Sequence, residues 1–157
     1  MENDIPALAQ KLEREGQRVS AFFCSLNDSE WSCLVYAEGA WTVHDVLAHL
    51  VTSEQGLLEL FEQILQGGSG VPADFSLDRY NASQRERARP FTPAALLAEY
   101  RRARLATLSW LAQRTPTELE RRGRHPFLGE TTLYEMVRLI YLHNQLHLQD
   151  VQKALKR

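Results

Sequence analysis

The sequence predicts an all-α protein, a four-helix bundle in a single domain. Four long segments place apolar residues three and four positions apart, which is the period of an amphipathic helix. No segment alternates apolar and polar residues over a convincing length with a partner strand nearby. The chain has 157 residues, a length typical of one domain with one core. We therefore expect residues 1–157 to form one bundle.

The first two helices are predicted over residues 4–25 and 43–66. In the first, apolar residues recur at spacings of three, four and seven. The second follows Thr42, and Thr42 with Asp45 has the spacing of a capping box, in which each side chain bonds to the backbone of the other. Between them, the segment that begins at Asn27 is predicted to be a short capped turn or small helix.

The third helix is predicted to begin at Thr92 and Pro93 and to run to about Gln113. Threonine is a favoured N-cap, and proline is tolerated at the first helical position because its missing N–H has no partner there. The fourth helix is predicted to follow Thr132, with Glu135 completing a full capping box. It continues through apolar positions to the end of the chain.

The connections between these helices differ in length. Residues 67–91 form a long crossover between helices two and three, which begins with a glycine cluster and contains a polar, arginine-rich stretch at 78–89 that could be helical. Residues 33–36 could form a strand, but no partner is evident nearby. Residues 114–131 are predicted to be a loop.

Composition excludes several functions. The net charge of -2 gives no electrostatic attraction to nucleic acid or anionic lipid, and no stretch is long and apolar enough to span a membrane. The first residues lack the features of a signal peptide. Cys24 and Cys33 form no CxxC motif, so neither a disulfide framework nor a thiolate zinc site fits. We expect a cytoplasmic protein that acts on a small molecule.

The histidines are the main functional signal. His143 and His147 are four residues apart on helix four, so their side chains project from one face, beside the apolar row that points into the core. His49 lies on the inner face of helix two. Buried imidazoles need partners, and one metal ion would satisfy all three while leaving a coordination position open for water or substrate.

Other interpretations stand beside this one. An HxxxH pair on a helix often arises by chance, and His49 alone could be a core histidine bonded to a carbonyl. A zinc protease is excluded, because Asn144 stands where its HExxH motif requires glutamate. His44 lies about 140° around the helix from His49, and His125 is predicted to be a surface or loop-packing residue. Both are left outside the metal set.

Three segments resemble the DinB/YfiT-like metalloenzyme family. They are residues 41–50 (WTVHDVLAHL), 125–133 (HPFLGETTL) and 143–147 (HNQLH). The resemblance covers almost the whole chain. It implies an up-down-down-up order of the four helices, which agrees with the long crossover. It also implies a divalent metal held by His49, His143 and His147, and a homodimer.

The family resemblance also implies a chemistry. Characterised relatives include transferases and isomerases that use bacillithiol, mycothiol or glutathione. The leading hypothesis is therefore that the metal, nickel or zinc first and iron or copper as alternatives, favours the thiolate of such a small thiol for S-transfer or isomerisation. Tyr80 and Asn81 are expected to line the site. The segments that could border the site contain possible cations for the carboxylates of the thiol, although each of these arginines taken singly is expected to lie at the solvated surface: Arg79, Arg85, Arg87, Arg89 and Arg124.

Two other functions remain open. The same metal could support a hydrolase that uses metal-bound hydroxide, although no general base is evident and Glu54 and Asp150 are expected to be solvent-facing or to contact the ligands. The protein could instead be a non-catalytic, stress-related binding or regulatory bundle. Catalytic residues are not assigned, and Cys24 and Cys33 are expected to be packing residues.

Overall fold

Four long helices make up the bundle, in a computed structural model that describes residues 4–157. They are α1 (Ile5–Cys24), α2 (Val43–Leu65), α4 (Pro93–Ala112) and α6 (Leu133–Leu155). Two shorter helices are α3 (Leu77–Ala88) and α5 (Pro116–Leu119), and a 3-10 helix covers Asp28–Ser32. Two hairpins complete the fold: β1 (Leu34–Tyr36) with β2 (Trp41–Thr42), and β3 (Arg122–His125) with β4 (Gly129–Thr132). No helix in this part of the chain is long and apolar enough to cross a membrane.

The order of the helices is up-down-down-up, as expected. At one end of the bundle a core cluster joins the end of α1, the starts of α2 and α4 and the end of α6, through Val19, Val46, Leu96 and Val151. A second cluster at the other end joins the remaining ends, through Leu8, Phe61, Leu111 and Met136. Helices α1 and α6 therefore run one way and α2 and α4 the other. The crossover that contains α3 makes the parallel arrangement of α2 and α4 possible.

The predicted helix starts are confirmed, with one correction. Thr42 and Asp45 form the reciprocal capping box, and a similar box caps the N-terminus of the 3-10 helix at Asn27. Thr132 accepts a hydrogen bond from the Glu135 N–H at 3.2 Å, but the Glu135 carboxylate lies 3.3 Å from Arg138 instead of returning to the cap. The prediction of a full box at Thr132 is therefore wrong, because only the hydrogen bond to the Thr132 side chain forms.

Both small hairpins correct the sequence-based prediction. Strand β1 does have a partner, because residues 37–40 turn the chain back and β2 pairs antiparallel with it through an irregular register. The segment predicted to be a loop before helix four contains α5 and the regular hairpin of β3 and β4. Strands of two to four residues are too short to show the alternation by which a strand is recognised.

The crossover is attached to the second hairpin. The Val71 N–H donates to the Arg124 carbonyl at 2.9 Å, and the Arg124 N–H donates to the Ser69 carbonyl at 2.8 Å. Between these bonds Gly70 lies directly against the backbone of Arg124. The crossover thereby becomes one wall of the space between α2 and α6, and α3 then packs along α2.

Gly70→Ala is expected to destabilise the protein by about 3 kcal/mol or more. Gly70 has a φ of +94°, and a Cβ there would overlap the backbone of Arg124, which cannot move away as a side chain could. Gly67→Ala is the matched control, since its φ is +96° but nothing lies within 4 Å of the added carbon. In Gly67→Ala the free energy of unfolding should fall only by the strain of alanine at a positive φ, about 1 kcal/mol. Equal unfolding free energies for the two variants in urea would contradict the role assigned to Gly70.

Candidate metal centre

Three histidine side chains meet between α2 and α6. The Nε2 atom of His143 lies 3.0 Å from Nε2 of His49 and 2.9 Å from Nε2 of His147, and the nitrogens of all three lie within 4.8 Å of one another. Two imidazole nitrogens bound to one first-row divalent metal at about 2.0–2.1 Å would themselves be about 3 Å apart at a right angle. The three rings are therefore placed as a single metal ion would require.

Burial keeps these imidazoles neutral. Removal from water, together with the repulsion of neighbouring histidines, lowers the pKa of His49 to about 4 and that of His143 to about 2. Burial also lowers the pKa of His147, although the Asp150 carboxylate opposes that change. A neutral imidazole has a free lone pair, which is the form that binds metal. Near pH 7 all three rings are therefore in the ligand form.

The orientation of His147 is set by a tyrosine and a carboxylate. The Tyr36 hydroxyl donates to Asp150 Oδ2 at 2.5 Å and lies 2.7 Å from His147 Nδ1. Burial and the bond to Asp150 raise the pKa of Tyr36, so its proton stays on the phenol. Because that proton goes to Asp150, His147 Nδ1 must be the donor to the phenol oxygen. The lone pair of His147 is then on Nε2, toward the other two histidines.

Contacts of the same kind hold His49. Its Nδ1 lies 3.3 Å from the Ser53 hydroxyl, one turn along α2. The indole of Trp41 packs edge to face on the ring, with centroids 5.6 Å apart. Each contact restricts the rotation of the imidazole and leaves Nε2 directed at His143.

Tyr36→Phe is expected to weaken metal binding by about 10- to 100-fold, the usual cost of losing a partner that orients a ligand histidine. Without the phenol oxygen, His147 Nδ1 has no acceptor and the tautomer with Nδ1 unprotonated becomes accessible. The measurement is zinc affinity by competition with a chromophoric chelator. Tyr134→Phe, at the first turn of α6 and packed in the distant core cluster, is the matched control. A Tyr36→Phe protein with wild-type zinc affinity would refute this role.

A cavity of about 660 Å³ opens beside the three histidines. Tyr80 and Asn81 of α3 line it, at the positions expected of them. Its wall is largely apolar and includes Leu57, Leu60, Val71, Phe75, Leu139 and Ile140. At its mouth Phe127 is 74% exposed and Leu146 is 56% exposed. The site therefore offers an apolar chamber with the metal ligands at its inner wall.

The arginines of the segments that could border the site lie outside the cavity lining, and Arg79, Arg87 and Arg89 are exposed. No lysine or arginine is among the lining residues that the structure describes. Arg85 instead donates to the Gly39 and Ala40 carbonyls and lies 3.0 Å from the Asp45 carboxylate. It thereby clamps the turn of the first hairpin to the start of α2. Arg89 pairs with Glu86, and Arg124 lies 3.7 Å from Glu130.

Neither carboxylate near the histidines is free. Glu54 is 2% exposed, and its two oxygens accept from Arg104 at 2.8 and 3.1 Å. Burial disfavours the Arg104 charge, but the bonds and the attraction of Glu54 outweigh it and raise the Arg104 pKa. Asn144, between the two histidines of α6, accepts from Arg104 at 3.2 Å and from Tyr100 at 2.5 Å. The expectation that Glu54 faces solvent is therefore wrong, because α4 carries its partner.

The structure separates the two histidines left outside the metal set. His44 is half-buried, and its Nε2 lies 2.7 Å from the Phe91 carbonyl, outside the cavity lining. His125, by contrast, is 5% exposed and lines the cavity. Of its two predicted placements, at the surface or packed in a loop, the structure excludes the first, because the ring is buried against the backbone of the hairpin turn. Cys24 and Cys33 are both exposed rather than packed in the core.

Comparisons with known proteins agree with this architecture. The family model of the DinB superfamily matches residues 11–151. A protein of Oceanobacillus iheyensis named "putative metal-dependent hydrolase" is 24% identical over 97% of this chain and 86% of its own length. The structure of YfiT from Bacillus subtilis superposes on this chain with a TM-score of 0.82 and 21% identity, over 100% of this chain and 89% of that one. YfiT is described as "a probable metal-dependent hydrolase with an unusual four-helix bundle topology". A mycothiol-dependent maleylpyruvate isomerase superposes with a TM-score of 0.77 and 13% identity, over 94% of this chain and 60% of that one.

Proposed function

Because the chain belongs to the DinB superfamily, we propose that it is a metal-dependent enzyme that uses a low-molecular-weight thiol for S-transfer or isomerisation. In this proposal His49, His143 and His147 are the metal ligands. The observation that carries it is the convergence of three neutral imidazole nitrogens at the inner wall of an apolar cavity. Two of the similar proteins are named as metal-dependent hydrolases and one as a thiol-dependent isomerase.

The side chains of this protein provide binding, orientation and exclusion of water. His49, His143 and His147 would hold a divalent metal, which would lower the pKa of a coordinated thiol or water. Tyr36 and Asp150 hold His147, and Ser53 and Trp41 hold His49, in the required orientation. The apolar wall keeps bulk water away from the reacting groups. The electrophile would lie in the cavity, beside the metal ligands.

Two carboxylates close to the ligand histidines in sequence are both occupied, which favours a thiol as the nucleophile. Among the described residues, Glu54 is occupied by Arg104 and Asp150 by Tyr36, so neither is available to take a proton from a nucleophile. A thiol, with an ordinary pKa of about 8.5, loses its proton much more readily than water at about 15.7. A small thiol therefore needs the least help from the protein. The proposed thiols are bacillithiol, mycothiol and glutathione.

One observation favours hydrolysis as a second candidate. The thiols named above carry charged or highly polar groups, and no described residue that lines the cavity is a lysine or arginine. A small apolar ester or amide would fit that lining without any charge partner. In this case water takes the place of the thiol. The metal ligands and their supporting contacts are the same in both candidates.

The identity of the metal is proposed from the type of ligand atoms, which are three imidazole nitrogens. Three imidazoles suit zinc and nickel, and also iron and copper, whereas they do not suit magnesium or calcium, which prefer oxygen ligands. We propose nickel or zinc. The fit rests on neutral nitrogen donors with their lone pairs directed at one point.

Titration calorimetry with the three thiols tests the proposal. Protein loaded with zinc or nickel should bind at least one thiol saturably, and the same protein stripped of metal should not. A Cys24→Ser/Cys33→Ser variant is the control, because both native cysteines are exposed and could form mixed disulfides. That variant should bind the thiol as the wild type does. If the metal-loaded protein binds none of the thiols yet hydrolyses apolar esters, the hydrolase replaces the thiol enzyme. If it binds no metal, both candidates fail.

A further inference from the structure

His125 contains a buried hydrogen-bond donor without a partner. The side chain lies at the end of β3, is 5% exposed and lines the cavity beside the three histidines. Its Nε2 atom is buried and makes no hydrogen bond to any residue within 4–157. Such groups are rare in native proteins, because a buried polar atom that has lost water and gained nothing is unfavourable. The missing partner is therefore informative.

The hydrogen bonds of the ring establish which nitrogen has the proton. His125 Nδ1 accepts from the backbone N–H groups of Phe127 at 3.0 Å and Leu128 at 3.1 Å. An atom that accepts two N–H donors cannot itself be protonated. Burial lowers the pKa of His125 to about 4, so the ring is neutral near pH 7. Its one proton is then on Nε2, which makes that atom a donor.

The turn also prevents the ring from finding a partner elsewhere. The two bonds at Nδ1 hold the imidazole inside the turn of the second hairpin, so the ring cannot rotate without breaking both. The same turn places Phe127 at the mouth of the cavity, where it is 74% exposed. The His125 ring is therefore bonded through Nδ1 to the backbone of Phe127 at the mouth, while its Nε2 remains at the cavity wall.

The lining indicates what would accept this hydrogen bond. Described lining residues include no lysine or arginine, and leucine, isoleucine, valine and phenylalanine make up 11 of the 24. Away from the metal ligands an anionic ligand would meet no lysine or arginine and would lie beside the Glu59 carboxylate, whereas an uncharged ligand would meet a largely apolar surface. A neutral donor in an apolar wall suits a neutral acceptor, and a carbonyl oxygen is the common one.

We propose that His125 is a substrate-binding residue, whose Nε2–H donates a hydrogen bond to the carbonyl oxygen of an uncharged, largely apolar substrate. The inference rests on the function proposed above, because it names the class of molecule that is attacked beside the metal. A hydrogen bond to the carbonyl oxygen withdraws electron density from the carbonyl carbon. His125 would therefore both orient the substrate and make it more electrophilic.

Two variants separate the two nitrogens of His125. In His125→Asn, the amide oxygen lies near the position of Nδ1 and can still accept from the turn, but the donor at the position of Nε2 is lost. In His125→Gln, the amide nitrogen reaches the position of Nε2 and keeps a donor there, while the acceptor for the turn is lost. A donor role and a purely structural role therefore predict opposite rankings of the two variants.

The test uses two probes of similar shape, 4-phenylbutan-2-one, which has a carbonyl, and butylbenzene, which does not. Dissociation constants are measured by NMR titration on metal-loaded and on metal-stripped protein. We expect His125→Asn to weaken binding of the ketone by about 5- to 10-fold, the usual effect of one hydrogen bond, and to leave butylbenzene unchanged. His125→Gln should retain most of the ketone affinity. Each metal-loaded variant should contain as much metal as the metal-loaded wild type.

Several results would overturn the proposal. The first is that the wild type fails to bind the ketone. A second is that His125→Asn binds both probes more weakly by the same factor. A third is that His125→Asn binds the ketone as tightly as the wild type does. Loss of metal in His125→Asn would also overturn it, because His125 would then belong to the metal site. Binding in the metal-stripped protein is measured independently of the proposed function, so failure of one does not imply failure of the other.

A measurement on the wild type removes dependence on the folding of the variants. Long-range ¹H–¹⁵N spectra distinguish a protonated from an unprotonated imidazole nitrogen. We expect His125 to have a protonated Nε2 and an unprotonated Nδ1, and the Nε2 resonance to shift when the ketone is added but not when butylbenzene is added. A protonated Nδ1, or an Nε2 resonance that does not respond to the ketone, would contradict the assignment.

Discussion

Replacement of His143 by alanine is expected to abolish stoichiometric metal binding. His143 is the central ring of the three, since its Nε2 lies 3.0 Å from that of His49 and 2.9 Å from that of His147. Its removal leaves two nitrogens on different helices, which cannot form a three-coordinate site. The loss of affinity should exceed the roughly 10- to 100-fold that removal of an outer partner costs. Metal content after dialysis against zinc is the measurement, and His49→Ala and His147→Ala should behave alike.

His44→Ala is the matched control for this experiment. His44 is on α2, as His49 is, but its imidazole lies outside the cavity and contacts the Phe91 carbonyl. The control loses one imidazole from the same helix and should retain full metal content. The metal-free His143→Ala protein should also unfold at a temperature no lower than the metal-free wild type, since a buried polar ring has been removed. Full metal retention by His143→Ala would refute the assignment of the ligands.

Glu54→Leu is expected to destabilise the protein by about 3–5 kcal/mol, the usual result of leaving one member of a buried ion pair without its partner. Arg104 is 4% exposed, and the Glu54 carboxylate accepts from both its Nε and its Nη2. Without Glu54 the guanidinium charge stays in the bundle interior with weaker compensation. Urea unfolding monitored by circular dichroism would measure the loss.

Two controls separate this effect from general damage. In Glu54→Leu/Arg104→Met both charges are replaced by apolar groups, and most of the lost stability should return. In Glu86→Gln an exposed pair with Arg89 is removed, and stability should change by less than about 0.5 kcal/mol. If Glu54→Leu and Glu86→Gln have similar effects, the buried pair does not contribute as described.

Helix positions were predictable because the signals for a helix are local. The four long helices begin and end within about two residues of the predicted bounds, and the Thr42 and Thr92 caps are those expected. A cap depends on residues three positions apart, and an amphipathic period on residues within one or two turns. Neither requires knowledge of what the helix packs against. The half-formed box at Thr132 shows the limit, since Glu135 is drawn to Arg138.

The hairpins and the charged side chains were less predictable because their partners lie elsewhere in the chain. Strand β1 is three residues long, and only its pairing with β2 distinguishes it from a loop. Arg85 pairs with Asp45, 40 residues earlier in the chain, and does not line the cavity. Glu54 is sequestered by Arg104, 50 residues further along the chain. Sequence spacing contains no information on such pairs.

The sequence by itself determined that His49, His143 and His147 lie on inward faces of two helices, because 3.6 residues per turn dictates which side chains share a face. Only the tertiary structure decided that α2 and α6 bring their nitrogens to one point. It also decided that Tyr36, Asp150 and His125 belong to the same site. Those side chains come from a short hairpin strand, the outer part of α6 and a second hairpin. The physical reason is that hydrogen bonds depend on distance in space, and packing of distant segments sets that distance.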